Sequence, residues 1–246
     1  MKQTTLDQSR SVFPWAAAIV LLGIALAGWL PNHLLRPAPK PLAAHEQAAL
    51  TPDEALLRLK QGNERFVTGK SHDRSWLSQI QLTQSSQHPF AFVLSCIDSR
   101  TSSEIVFDQG LGDLFNVRIA GNVLSTDILG SMEFACQVAG AKVIAVVGHT
   151  KCGAIIGACK GVQMGNLTGL LAKVQPCVAE AKAHHPGVPN DDPALVAEVT
   201  EQNVQRVMSQ IQKDSPILRD LIASGKVKLV GGIQDLDTGE VRFLNR

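Results

Sequence analysis

From residue 90 onward, short apolar runs alternate with stretches of helical periodicity. Phe90 to Cys96 (FAFVLSC), Leu114 to Ile119 (LFNVRI), Val143 to Gly148 (VIAVVG) and Lys226 to Gln234 (KVKLVGGIQ) read as strands, with Ser125 to Val138 and Cys152 to Cys159 as helices between them. Strands that are apolar almost throughout belong to a parallel sheet covered on both faces. Asp237-Thr238-Gly239 predicts a turn into a last short strand, Val241 to Leu244, antiparallel to its predecessor. Residues 166–224 read as mostly helical, interrupted at His185 to Pro193. The expected fold is α/β: a mostly parallel central sheet of four parallel strands plus a C-terminal antiparallel strand, flanked by helices. In such sheets ligands sit beyond the carboxyl ends of the strands, where Cys96 and His149 fall.

The first part of the chain follows other rules. Residues 12–30 (VFPWAAAIVLLGIALAGWL) form 19 uncharged positions, about enough to cross a bilayer as a helix, with Trp15 and Trp29 near the two ends. This run predicts an N-terminal signal-anchor or signal peptide over 1–30, hence a chain that is membrane-anchored or exported, facing the extracytoplasmic side. Four prolines in residues 31–44 make a Pro-rich linker, and a single domain is expected over 45–246. Thr51-Pro52-Asp53-Glu54 has the pattern of a capped helix start. Leu56, Leu57, Leu59 and Phe66 supply an apolar side to that helix, and Gly62 and Gly69 limit its length.

Composition narrows the function. With 23 Lys+Arg against 22 Asp+Glu the formal net charge is +1, which gives no long-range field for nucleic acid, and 4% aromatic residues with no Tyr argue against a base-stacking platform. Five Cys is an odd number, pointing to thiols with individual roles rather than a disulfide framework.

Two short patterns carry the chemistry: Cys96-Ile97-Asp98-Ser99-Arg100 and His149-Thr150-Lys151-Cys152. Two thiolates and one imidazole suit Zn²⁺ and leave one tetrahedral position open, which is the mark of a catalytic rather than a structural site. His-x-x-Cys alone is equally the spacing of two unrelated core residues. Asp98 either binds the metal as a fourth ligand or, paired with Arg100, stays ionised and off it; an ordinary surface ion pair has the same spacing.

These motifs, with FDQGLGDLFNVRIAGN at 107–122 and GSMEFA at 130–135, resemble those of the β-class carbonic anhydrases. The resemblance runs from about Thr51 to the C-terminus and is densest between Gln87 and Gly157. It implies reversible hydration of CO₂ to bicarbonate and a proton, with one Zn²⁺ per subunit held by Cys96, His149 and Cys152. Asp98 and Arg100 would form the catalytic dyad, with Asp98 closing onto the metal as a fourth ligand when that pairing breaks. Gln87 and the Gly153 amide would contact substrate oxygen, and Phe115, Ala120 and Phe134 would line the CO₂ pocket, Phe134 from a neighbouring subunit. A homodimer or higher even-numbered homo-oligomer is implied. Ile97, Thr101 and Phe134 depart from common family residues, and the Val and Arg pattern of the bicarbonate-inhibited branch is not evident after Arg100. Two other readings share the ligands: hydrolysis of CS₂ or COS, and a non-catalytic membrane-bound zinc or thiol module for inorganic-carbon sensing. Cys136 reads as a core thiol, Cys159 and Cys177 as a possible disulfide on export, and His72, His88, His184 and His185 as solvated loop histidines.

Overall fold

The computed structural model describes residues 39–244. The apolar run at 12–30 and most of the proline-rich segment lie outside them, and among the described residues no helix is long and apolar enough to cross a membrane. The chain enters through α1 (Ala44–Ala49) and α2 (Pro52–Val67). As expected, Thr51 caps α2: its hydroxyl accepts from the Glu54 N–H, and Glu54 accepts from the Thr51 N–H. Two expectations for α2 need correction. Leu57 is 50% exposed, and the buried face is formed by Ala55, Leu59, Gly62 and Asn63. Gly62 does not end the helix. A Cβ there would lie 1.7 Å from the Phe107 carbonyl, so Gly62 permits close packing rather than a stop. Next comes α3 (Trp76–Thr83), a helix that the apolar pattern did not reveal.

The sheet follows in the anticipated order: β1 (Ala91–Ser95), β2 (Leu114–Arg118), β3 (Val143–His149), β4 (Lys228–Gln234) and β5 (Val241–Phe243). Spatially they run β2-β1-β3-β4-β5, the first four parallel and β5 antiparallel to β4. Side chains alternate between the two faces as strand geometry requires. Phe92, Leu94, Ile144 and Val146 enter one core with Met132, Val204 and Ile211, whereas Ala91, Val93, Val143 and Val147 enter another with Ala55, Leu59 and Phe107. Between strands lie α4 (Ser103–Val106), a 3₁₀ turn (Ala120–Asn122), α5 (Thr126–Glu133) continued by a π turn (Phe134–Val138), and α6 (Gly153–Cys159). The helical region then supplies α7 (Gly165–Ala172), α8 (Gln175–His184), the long α9 (Pro193–Asp214) and α10 (Pro216–Ala223). A third core of Cys152, Ile155, Cys159, Leu171, Cys177 and Val199 packs α6, α7, α8 and α9 around the carboxyl end of the sheet. Cys159 and Cys177 are both free and buried there, so the possible disulfide is not formed.

Candidate metal centre

Adjacent parallel strands deliver the three expected ligands to one place. Cys96 follows β1, His149 ends β3, and β1 pairs with β3. Lys151 adopts the left-handed region (φ 56), which folds the chain sharply enough for Cys152 to return beside His149. The ligand atoms of Cys96, His149 and Cys152 all lie within 4.8 Å of one another, and all three residues are buried. The two sulfurs are 4.0 Å apart. Sulfurs bound tetrahedrally to zinc at about 2.3 Å would be about 3.8 Å apart.

The donor set fits zinc on a further count. His149 Nδ1 faces the Thr150 carbonyl at 2.8 Å, which places the proton on Nδ1 and the lone pair on Nε2. Nε2 is buried and has no partner in the protein. A lone pair withdrawn from water in this way is costly unless a cation receives it.

Hydrogen bonds condition both sulfurs. The Cys152 thiol, 4.0 Å away, brings the Cys96 thiol well below the usual range against burial, which raises it. The same sulfur–sulfur bond, with burial, pushes Cys152 up, against donation from the Ala154 and Ile155 N–H groups. Both sulfurs must be thiolates to ligate a divalent cation, so metal loading releases protons.

Asp98 stands beside this cluster without belonging to it. Arg100 holds it by a fork, Nε to Oδ1 at 2.9 Å and Nη2 to Oδ2 at 2.8 Å, reinforced by the Arg100 N–H at 3.0 Å. That grip keeps the carboxyl well below the usual carboxylate range. The loop itself is pinned by residues that spacing gave no reason to select. Arg118 donates through Nε to the Cys96 carbonyl at 3.0 Å and through Nη2 to the Asp98 carbonyl. The Thr101 hydroxyl reaches both carbonyls, at 3.0 and 2.9 Å. Arg118 could have been suspected only as a charge at the end of a largely apolar strand.

The remaining expected site residues separate into two groups. Gly153 opens α6 directly after Cys152, with nothing within 4 Å of where a Cβ would stand, and Ala120 lies in the 3₁₀ turn next to Gly121. Gln87, Phe115 and Phe134 are not brought to the cluster of their own chain. Gln87 is exposed in the loop before β1, at the opposite end of a five-residue strand that spans about 16 Å. Phe115 meets Phe134 edge to face at 6.2 Å in a surface cavity of about 540 Å³ that includes none of the three ligands. Phe134 is 51% exposed.

Among the other expectations, Cys136 is a core thiol, pushed up to about 12 by burial. His72 is not a solvated loop residue. Its Nδ1 lies 2.8 Å from Asp108, a carboxylate drawn into the protein by Arg65 and Arg74. His184 and His185 both bond Glu198, at 2.7 Å each.

Comparison with known proteins agrees with this geometry. Residues 91–241 match the protein-family model described as Carbonic anhydrase. Carbonic anhydrase 2 of Mycobacterium tuberculosis is 34% identical over 194 residues, covering 76% of this chain and 90% of that protein. A carbonic anhydrase of Mycolicibacterium smegmatis is 33% identical over 198 residues, covering 78% and 93%. Among solved structures, a tetrameric β-carbonic anhydrase from Sordaria macrospora superposes with a TM-score of 0.60 at 25% identity, covering 66% of this chain and 84% of that one.

Proposed function

The chain belongs to the β-class carbonic anhydrases, and from that premise we propose how its residues divide the reaction CO₂ + H₂O ⇌ HCO₃⁻ + H⁺ among them. Cys96, His149 and Cys152 hold zinc. When bound, the metal lowers the pKa of water at its open position toward about 7, so that a nucleophile exists near neutral pH. Asp98 accepts a hydrogen bond from the attacking water and aims its lone pair at the carbon of CO₂; Arg100 keeps that carboxylate ionised and away from the metal. The Gly153 N–H, on a residue without a side chain to block approach, donates to an oxygen of the forming bicarbonate. Ala120 contributes apolar wall. The proton leaves to solvent.

The observation that carries this reading is the combination of an unpartnered, buried His149 Nε2 beside two sulfurs with an Asp98 held off them by Arg100. The chain's similarity to the mycobacterial carbonic anhydrases favours CO₂ over CS₂ or COS, and over a module without catalysis.

Gln87, Phe115 and Phe134 act across a homodimer interface, completing the partner's pocket. Support comes from apolar surface left open on one protomer: Leu77 and Ile80 on α3, 76% and 52% exposed, and Val138 after Phe134, 72% exposed. The Sordaria relatives are tetrameric. The uncharged run at 12–30 supports a membrane anchor or export signal, with a domain on the extracytoplasmic side as the proposed arrangement.

Zinc analysis and stopped-flow CO₂ hydration on the full-length chain test the proposal. Turnover should rise in proportion to zinc content. Full zinc occupancy without CO₂ hydration would overturn it.

A further inference from the structure

Arg118 ends β2 and turns its guanidinium to main chain rather than to a carboxylate: Nε donates to the Cys96 carbonyl at 3.0 Å and Nη2 to the Asp98 carbonyl. The peptide units it holds, 96–97 and 98–99, lie one before and one after the Asp98 side chain. Two donors on one rigid plane fix both units at once, which a flexible ammonium cannot do. β2 is paired to β1 along its length, with Ser95 opposite Arg118, and β1 is paired to β3. Arg118 thereby anchors the loop to the sheet that delivers Cys96 and His149. Arg100 cannot supply that anchor, because it lies two residues from Asp98 in the same loop and travels with it. Its fork fixes the carboxylate relative to the loop, and a contact from outside the loop is needed to fix it relative to the ligands. Thr101 reaches the same two carbonyls but also belongs to the loop. From outside, Gln234 at the end of β4 reaches only the Arg100 carbonyl, at a longer 3.4 Å.

We propose that Arg118 is a positioning residue for the reaction: by its two-pronged hold on the Cys96 and Asp98 carbonyls it places the Asp98 carboxylate relative to the metal ligands, so that Asp98 can orient the attacking water. The inference deepens the functional reading above and rests on it. In this role Arg118 touches neither substrate nor the reacting atoms and acts through Asp98. Misplacing a catalytic group by about 1 Å costs about 10²-fold in rate. Arg118→Met removes both donors at similar length, and Arg118→Lys keeps the charge without the fork.

Turnover per bound zinc is measured by stopped-flow CO₂ hydration of the full-length chain. Arg118→Met should lower it about 10- to 10²-fold, and Arg118→Lys should recover only part of that loss. In the Asp98→Asn background the same Arg118→Met change should cost about twofold or less, because residues that act through one group are not additive. A merely structural contribution would multiply in full there. That outcome, full recovery in Arg118→Lys, or parent-like turnover in Arg118→Met would overturn the proposal. Where Arg118→Met does not fold, Arg118→Lys decides by the same comparison in the two backgrounds. Hydrogen exchange gives a readout independent of turnover. The Arg100 and Thr101 N–H groups donate to Asp98 Oδ1 and to the Asp98 carbonyl, both at 3.0 Å. In the Arg118 variant these amides should exchange about tenfold faster, as for loss of one charge-assisted hydrogen bond, while those of β3 keep the parent rate. Unchanged exchange in the loop, or equal acceleration in β3, would overturn the proposal. Active parent with an unaffected Arg118→Met would overturn this inference alone; a parent that binds zinc but hydrates no CO₂ would overturn the functional reading, and this inference with it.

Discussion

Asp98 and Asp108 stand ten positions apart and both bind arginine, yet their surroundings give them opposite work. Asp98 takes its partner from its own loop, and the pair remains open to water, the Arg100 side chain being 59% exposed. Asp108 is 1% exposed and takes Arg65, Arg74 and His72 from a segment 34 to 43 residues earlier in the chain. Burial alone would raise its pKa; the two guanidiniums and His72 more than offset that and hold it below the usual range. A carboxylate in such a local pair, in reach of solvent, can accept a hydrogen bond from an incoming water. A buried clamp between distant segments ties α2 and the segment after it to the loop after α4 and has nothing to exchange. Exposed pairs contribute little to stability, whereas stripping one partner from a buried one costs several kcal/mol.

The widest separation between the two regions should appear when the metal is removed. Cys96→Ala or Cys152→Ala should lose zinc and all measurable CO₂ hydration while the Asp108 clamp keeps the fold. Metal analysis with circular dichroism checks this, and retained zinc in either variant would contradict the ligand set. Next in size, Asp108→Asn should lower unfolding stability by about 3–5 kcal/mol, because two guanidiniums lose their buried counter-charge. Denaturant titration measures it. Turnover per zinc-loaded folded molecule should stay near the parent's, and a matching fall in turnover would erase the distinction between the two aspartates.

The sequence revealed these regions unequally. Strands β1 and β3 are buried along their whole length and therefore read as unbroken apolar runs, and the ligands lie at their ends. The Asp98–Arg100 pair was visible because its partners are two residues apart. His72 and Asp108 are 36 apart, and no local pattern joins them. The role of Gly62 depends on the Phe107 carbonyl, which only the packed structure brings near. α3 was missed because its apolar residues face outward, so Leu77 and Ile80 made no stripe toward a core of this chain.

The smallest effect concerns a third ionic group, intermediate between the two. Glu198 binds His184 and His185 at the junction of α8 and α9. The two imidazoles hold its carboxyl below the ordinary 4.5, so its contribution is present above that value and is lost as pH falls through the folded one. Glu198 raises His184 above the ordinary 6.5, so that contribution is complete below 6.5 and is lost as pH rises through the folded value. Glu198→Gln should therefore lower the melting temperature more at about pH 5.5 than at about pH 8.5. An equal difference at both would show that the contact is not ionic.

The most direct test of the account is Asp98→Asn in the full-length chain, read by stopped-flow CO₂ hydration at matched zinc content. In the proposed mechanism the carboxylate orients water and neither holds the metal nor supports the fold. Zinc content and melting temperature should thus equal the parent's while turnover falls about 10²- to 10⁴-fold. Parent-like turnover at equal zinc would contradict the role assigned to Asp98.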